Sequence, residues 1–321
     1  MTQFLAAHRG RFDLVMLNRV DLAGYGLGYK TVSGSPYAIN AYGDDGLGKL
    51  SFAKEFALSR AKLVIANCKW TADRLPEFHR RLPAVGLLPD PFDVASFRPF
   101  AKDGARAYVE QRYETGPLAE RFVITTVASL SLSPSKGHRQ TIDALAMLRH
   151  RRYLYLIGGD GPDDDAIATY AAERGVTGQV RMLGLVDQDD LPKLYSASDI
   201  AVSLGSAGAE LGESAPLGLI EPAACGIPFV CASRDGSVEM ISRARPYGIA
   251  IDPGKSDQLA TILQQLADSP GAVKSMGENG RAVAEATFSF EKFSYTLGQM
   301  MARRLGVAHA RMSGPSLAAS R

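Results

Sequence analysis

Short apolar runs alternate with amphipathic stretches along almost the whole chain. The runs Leu14–Leu17, Tyr37–Ala41, Leu63–Ala66, Val85–Leu88, Val123–Ala128, Leu154–Ile157, Val180–Leu183, Ile200–Leu204, Phe229–Ala232 and Ile249–Ile251 are short, often β-branched and bounded by turn residues. That pattern predicts buried strands. Between them, apolar residues at helical spacing predict helices over Lys49–Ser59, Lys69–Phe78, Lys136–Leu148, Asp163–Arg174, Leu191–Ala197, Ile220–Ala224, Ser256–Ala267 and Phe290–Arg304. Strands that alternate with helices argue for an α/β fold, with parallel sheets covered by helices on both faces. A Pro-, Gly- and charge-rich stretch from Pro89 to Pro117 is the expected boundary between two lobes. The expected organisation is residues 1–117 as a first lobe, 118–288 as a second, a helix over 289–306 and a disordered tail over 307–321.

Composition narrows the function classes. Net charge is +2, from 36 Lys+Arg against 34 Asp+Glu, which is no footprint for nucleic acid. Two local basic clusters, His79-Arg-Arg81 and Arg149-His-Arg-Arg152, read as solvated faces or as contacts with an anionic membrane surface. The three cysteines, Cys68, Cys225 and Cys231, and the five histidines lack metal-ligand spacing, so no metal is expected. No apolar run is long enough to span a bilayer, and the N-terminus has no signal-peptide core. The expected location is the cytoplasm, with peripheral contact at the inner membrane face as an option.

The chemistry concentrates in Glu213-Ser-Ala-Pro-Leu-Gly-Leu-Ile-Glu221. Glu213 lies in a Gly-rich turn region, and Glu221 opens an apolar, alanine-rich segment expected to be helical. Carboxylates beside a helix start, at the end of a strand, can accept hydrogen bonds from ligand hydroxyls. The helix N-terminus adds N–H groups for an anion. Hydroxyls together with a phosphate point to a nucleotide or a nucleotide sugar.

This stretch resembles the Glu-x7-Glu motif of the family 4 retaining glycosyltransferases, also called glycosyl transferases group 1, which have the GT-B fold. Further segments resemble the same family in order: Phe122 to Ser131 with Ser135-Lys-Gly137-His, Tyr153-Leu-Tyr-Leu-Ile-Gly-Gly-Asp-Gly-Pro162, Val180 to Val186, and Gly248-Ile-Ala-Ile-Asp-Pro-Gly254. The resemblance implies two Rossmann-like lobes. The second carries the donor site, and the first is abbreviated here because several N-terminal strands of the family pattern are missing. It implies sugar transfer from a nucleotide diphosphate sugar, with retention and no obligatory metal or other cofactor. The acceptor would offer a hydroxyl on a glycan or a lipid-linked molecule.

The resemblance also implies residue roles. Glu213 would orient the donor sugar and Glu221 would hold the ribose hydroxyls. The N–H groups of Leu217, Gly218 and Leu219 would face the diphosphate. Lys136 would stabilise the leaving diphosphate. Ser129 stands where the family usually has an arginine, Gly158 and Gly161 form a turn near the nucleoside, and Val186 falls among the donor-binding positions. Tyr42 and Gly43 stand where a His-Gly pair often lines the family's cleft. Two other readings stay open on residues alone: a nucleotide-sugar-binding remnant without transferase activity, and a P-loop-like nucleotidase. The latter draws on Gly43-Asp-Asp-Gly-Leu-Gly48-Lys49-Leu50, which meets the Gly-x4-Gly-Lys spacing but lacks the hydroxyl that should hold Mg²⁺. The acidic runs Asp163–Asp165 and Asp187–Asp190 read as helix-capping carboxylates rather than metal ligands.

Overall fold

A computed structural model describes residues 12–132, 136–148, 150, 152–205, 214, 217–241 and 245–305. The chain divides into two compact units, one drawn from Met1–Asn67, Ala72–Pro91 and Phe290–Arg321, the other from Cys68–Thr71 and Phe92–Ser289. The division falls at Pro91, inside the expected Pro89–Pro117 stretch, and leaves residues 92–117 with the second unit. The reason is visible in the Pro89–Pro117 stretch, which contains a helix, Lys102–Tyr113, that the sequence reading passed over. Its buried positions are Ala105, Arg106 and Val109. The Arg106 guanidinium donates to the carbonyls of Ala197, Leu118, Ala119 and Arg121 and pairs with Asp199 at 2.8 Å. A buried arginine thus anchors this helix to the second unit, and a polar residue at a core position breaks the apolar period that would have announced it.

In the first unit, β1 (Val15–Leu17), β2 (Tyr37–Ala41), β3 (Leu63–Ala66) and β4 (Val85–Leu87) pair in that order, all parallel. The β3 side chains are buried throughout, as expected of a strand covered on both faces. Helices Ala23–Ser33, Gly43–Gly46 and Phe52–Ser59 precede β3. The final helix, Phe290–Leu305, lays Phe293, Leu297, Met300 and Met301 on a cluster of Ala38, Leu63, Ile65 and Leu88.

The second unit holds β5 (Phe122–Val127), β6 (Tyr153–Gly158), β7 (Val180–Gly184), β8 (Ile200–Ser203), β9 (Phe229–Ala232) and β10 (Gly248–Ile251). Their spatial order is β10-β9-β8-β5-β6-β7, again all parallel. All ten predicted strands are present, within about a residue of the expected bounds. One core face gathers Ile124, Tyr155, Ile157, Val202 and Val230 with helix residues Ile142, Leu145 and Leu263. The opposite core contains Leu219, Ile220, Ala223, Phe229 and Tyr247. The sheet is therefore covered on both sides.

Candidate active site

Strand order places the site. β5 runs on to β6 and β7 in one direction, and β8 runs on to β9 and β10 in the other. Neighbouring strands whose connections leave in opposite directions open a crevice at their carboxyl ends, where open α/β sheets bind ligands. Here that crevice lies beyond Val127 and Ser203.

The loops around it are fixed by backbone on backbone. The Gly158-Gly-Asp-Gly161 turn after β6 presses on the segment after β5. Leu130 donates to the Asp160 carbonyl at 2.9 Å, and Ala128 to the Gly158 carbonyl at 3.1 Å. A Cβ on Gly161 would stand 2.2 Å from the Leu130 oxygen, closer than any side chain tolerates. Gly159 has φ +129 and a Cβ there would stand 2.0 Å from the Ala128 oxygen. Gly158 is bare where Val186 packs, since its Cβ would meet Val186 Cγ2 at 2.9 Å. Gly158, Gly161, Ser129 and Val186 therefore belong to one interlocked shell at the ends of β5, β6 and β7. The packing of this turn accounts for its glycines.

Lys136 arrives from the β8 side. Its carbonyl accepts from Leu204 N at 3.2 Å, and Gly137, at φ +107, lies against the Leu204 backbone. The Lys136 side chain is half-buried. Burial holds its pKa below the usual lysine range, and the carboxylate of Asp235 partly restores it. Asp235 is 5% exposed and accepts from Ser237 N at 2.9 Å. Burial raises its pKa, while the Ser237 bonds and Lys136 pull it back down. The sequence reading missed Asp235. Its signal was the Asp-Gly-Ser turn chemistry after β9.

The helix that carries the second half of the motif spans Leu217–Ala224, three residues earlier than expected. Leu217, Gly218 and Leu219 thus form its first turn, with N–H groups that no intrahelical carbonyl can take. Gly218 approaches the end of β5, its would-be Cβ 3.7 Å from the Val127 oxygen. Glu221 does not open the helix but sits one turn in, just before Pro222. Tyr195 donates its hydroxyl to Glu221 Oε2 at 2.6 Å. Burial raises the Glu221 pKa and the Tyr195 bond opposes that rise. Tyr195 itself is buried and its phenol is pushed far above its ordinary range by burial and by Glu221. The sequence showed Tyr195 only as a helix residue, because its partner lies 26 positions away. Glu213 lies outside the described residues, as does the expected tail beyond 306.

Tyr42 and Gly43 belong to the first unit. Tyr42 donates to Asp90 Oδ1 at 3.2 Å, and Asn67 Nδ2 donates to Asp90 Oδ2 at 3.3 Å. Burial and then Asp90 push the Tyr42 phenol up to about 12. Gly43 starts the helical turn Gly43–Gly46, in which Asp45 accepts from Tyr42 N at 2.9 Å and Val20 N at 2.6 Å. A carboxylate facing two backbone donors in this segment, with Lys49 out in solvent, is not a phosphate cradle. The acidic runs behave differently from simple caps. Asp163 accepts from Leu132 N at 2.8 Å, and Asp190 accepts from Tyr108 and Tyr113. Among the described residues, no three His, Cys, Asp or Glu side chains come together as metal ligands.

Comparison with known proteins agrees with this fold. A family model described as glycosyl transferases group 1 matches residues 110–283. The chain belongs to that family. It is 29% identical over 251 residues to a D-inositol 3-phosphate glycosyltransferase of Salinispora arenicola, covering 74% of this chain and 54% of that one. It is 26% identical over 275 residues to a GDP-mannose-dependent monoacylated alpha-(1-6)-phosphatidylinositol monomannoside mannosyltransferase of Corynebacterium glutamicum, covering 84% and 65%. The chain thus spans less than two thirds of the length of these curated relatives. The crystal structure of Anabaena HepE in complex with UDP superposes with a TM-score of 0.79 at 21% identity, covering 94% of this chain and 81% of HepE. Sucrose-phosphate synthase of Thermosynechococcus elongatus gives 0.76 at 21%, covering 95% and 77%. The fold is GT-B-like, with the family's two parallel sheets.

Proposed function

We propose that this chain transfers a sugar from a nucleotide diphosphate sugar to an acceptor hydroxyl, with retention at the anomeric carbon. One observation carries the reading. Lys136, the first turn of the Leu217–Ala224 helix and the half-buried Glu221 all sit on elements gathered around the carboxyl ends of β5 and β8. An ammonium and a helix N-terminus suit a diphosphate, and a carboxylate suits the paired hydroxyls of a ribose.

In this reading Lys136 and the N–H groups of Leu217, Gly218 and Leu219 stabilise charge on the leaving diphosphate. Glu221, steadied by Tyr195, accepts from the ribose. Glu213 orients the sugar while the acceptor hydroxyl attacks from the face the diphosphate leaves. Ser129, Gly158, Gly161 and Val186 shape the floor, and Tyr42 and Gly43 are the cleft residues of the first unit. The named donor of the Corynebacterium relative is GDP-mannose, and HepE was solved with UDP. Guanine and uracil nucleotides are therefore the first candidates. The lipid-linked acceptor in the Corynebacterium relative's name makes a glycolipid or glycan hydroxyl the acceptor class to try first.

A second reading, nucleotide-sugar binding without transfer, draws on Ser129, which replaces a bidentate guanidinium with a hydroxyl. Calorimetric titration with UDP, GDP, ADP and their sugars in the presence of EDTA, followed by mass spectrometry of the products, separates the two. Binding lost in Glu221→Ala, together with a glycosylated acceptor, supports transfer. Binding with no product from any donor and acceptor pair supports the second reading. Absence of binding by all three diphosphates rejects both.

A further inference from the structure

The helix Phe52–Ser59 in the first unit buries Ala57 and Leu58 and turns two phenylalanines outward. Phe52 is 88% exposed and Phe56, one turn later on the same face, 50%. They border a depression of about 530 Å³ that Leu50 and Phe78 also line. Lys49, Arg80 and Arg81 stand around it, all exposed, and none forms an ion pair among the described residues. Arg60 adds a fourth cation, its guanidinium 5.8 Å from the centre of the Phe56 ring. The one carboxylate in the lining, Glu55, is held by His79 Nδ1 at 2.6 Å.

Two neighbouring exposed aromatic rings are unusual on a surface that meets only water. A rim of three cations against one carboxylate, itself tied to His79, is equally uneconomical for a face that stays in solvent. Both features fit one occupant. Aromatic side chains insert at the boundary between headgroups and acyl chains, and lysine and arginine bind lipid phosphates. We propose that this face of the first unit docks on an anionic lipid bilayer, with Phe52 and Phe56 inserted and Lys49, Arg80 and Arg81 on the lipid phosphates. Among the described residues no helix is long and apolar enough to cross a membrane. The proposal does not depend on the donor site, and its test involves no sugar transfer.

Co-sedimentation of the full chain with vesicles is the measurement. One set is pure phosphatidylcholine and the other contains phosphatidylglycerol as well. The chain is expected to pellet with the anionic vesicles, to stay in solution with the neutral ones, and to be released by salt. Phe52→Ser is expected to weaken partitioning about tenfold, from the transfer free energy of a partly buried ring. The double change Arg80→Ser with Arg81→Ser is expected to weaken it about twenty-five-fold, at about fivefold per cation. Lys274→Ser, which removes an 80% exposed lysine in the second unit, is expected to leave it unchanged. These side chains are exposed, so thermal unfolding of each variant should match the parent. No partitioning of the parent to anionic vesicles overturns the proposal. So does parent-like partitioning of both Phe52→Ser and the arginine pair. Concentration-dependent dimers without lipid, abolished by Phe52→Ser, would instead make this face a contact between copies of the chain and equally overturn it.

Discussion

Two charged side chains at the candidate site carry perturbed protonation equilibria, and each gives a signature that a merely structural residue lacks. Lys136 is held below the ordinary lysine range by burial. A bound diphosphate supplies the negative charge that burial withholds, so its pKa rises on binding and a proton is taken up. Titrations of the nucleotide diphosphate in buffers of different ionisation enthalpy, on the alkaline side of neutrality, should show net proton uptake. Lys136→Met should abolish that uptake and weaken binding by about tenfold or more, the weight of a charge-assisted contact. Uptake that persists in Lys136→Met would assign it elsewhere. Glu221 shifts the other way, raised by burial against the pull of Tyr195. Its folded pKa lies above its unfolded one, so the native state holds this proton more tightly. Its burial therefore removes stability as pH climbs from the ordinary carboxylate range through the raised value. Ribose hydroxyls need the ionised form, so nucleotide affinity should fall as pH drops through that same value. Tyr195→Phe removes the opposing bond, and the acid limb of affinity should move to higher pH, with about a three- to tenfold loss at neutrality. Glu221→Gln should flatten the limb, and an unmoved limb in Tyr195→Phe would end the pairing argument.

At the scale of elements, the glycines of the site divide into two kinds. Gly161 is required by packing, because its would-be Cβ stands 2.2 Å from a backbone oxygen of the segment after β5. Gly161→Ala should cost about 2–4 kcal/mol in urea unfolding, seen as a lower midpoint at unchanged slope. Gly218 meets only ordinary contact at 3.7 Å. Gly218→Ala should leave stability unchanged or raise it by up to about 0.5 kcal/mol through helix propensity. It should nevertheless weaken diphosphate binding, because a methyl at the first turn stands where the proposed site takes the phosphates. Equal affinity in that variant would remove the helix start from the site. The same contrast explains what the sequence disclosed. Strands such as Leu63–Ala66 and Phe229–Ala232 were legible because a strand buried on both faces reads as an unbroken apolar run. The helix Pro270–Phe288 was not, because Gly271, Gly277 and Gly280 look like breaks. Gly277 is instead a contact point, its would-be Cβ 1.9 Å from the Gly226 oxygen. The helix Ala23–Ser33 was hidden in the same way by Gly24, Gly26 and Gly28, of which Gly26 lets the Tyr37 ring come close. Within the candidate site, Lys136 and the Glu221 segment stood out because they fall in stretches that resemble the family pattern. Tyr195 and Asp235 were not, since their partners come from other elements.

For the whole molecule, the informative segment is the last helix. The chain completes the second unit at Ser289 and then returns to the first, where Phe293, Leu297, Met300 and Met301 lie on Ala38, Leu63, Ile65 and Leu88. The Met300 sulfur lies over bare Gly86, where a Cβ would stand 2.8 Å away. A four-stranded parallel sheet needs cover on both faces, and these four side chains supply part of it. Ending the chain after Ser289 removes that cover without touching a residue of the second unit. Burial of four such side chains is worth about 1.5–3 kcal/mol each at most, comparable with the whole stability of a small domain. The shortened chain should therefore lose the cooperative unfolding of its first unit and expose apolar surface to a hydrophobic dye. Hydrogen exchange should show β1 to β4 losing protection while β5 to β10 keep theirs. Nucleotide affinity should persist, because every residue proposed to hold the diphosphate and ribose lies between Phe92 and Ser289. The proposed sugar transfer should not persist, because Tyr42 and Gly43, which the proposal assigns to it, lie in the unit that unfolds. Loss of nucleotide affinity with the helix would mean that the donor site needs the first unit. Retained protection of β1 to β4 would mean that the last helix is dispensable to the sheet it covers.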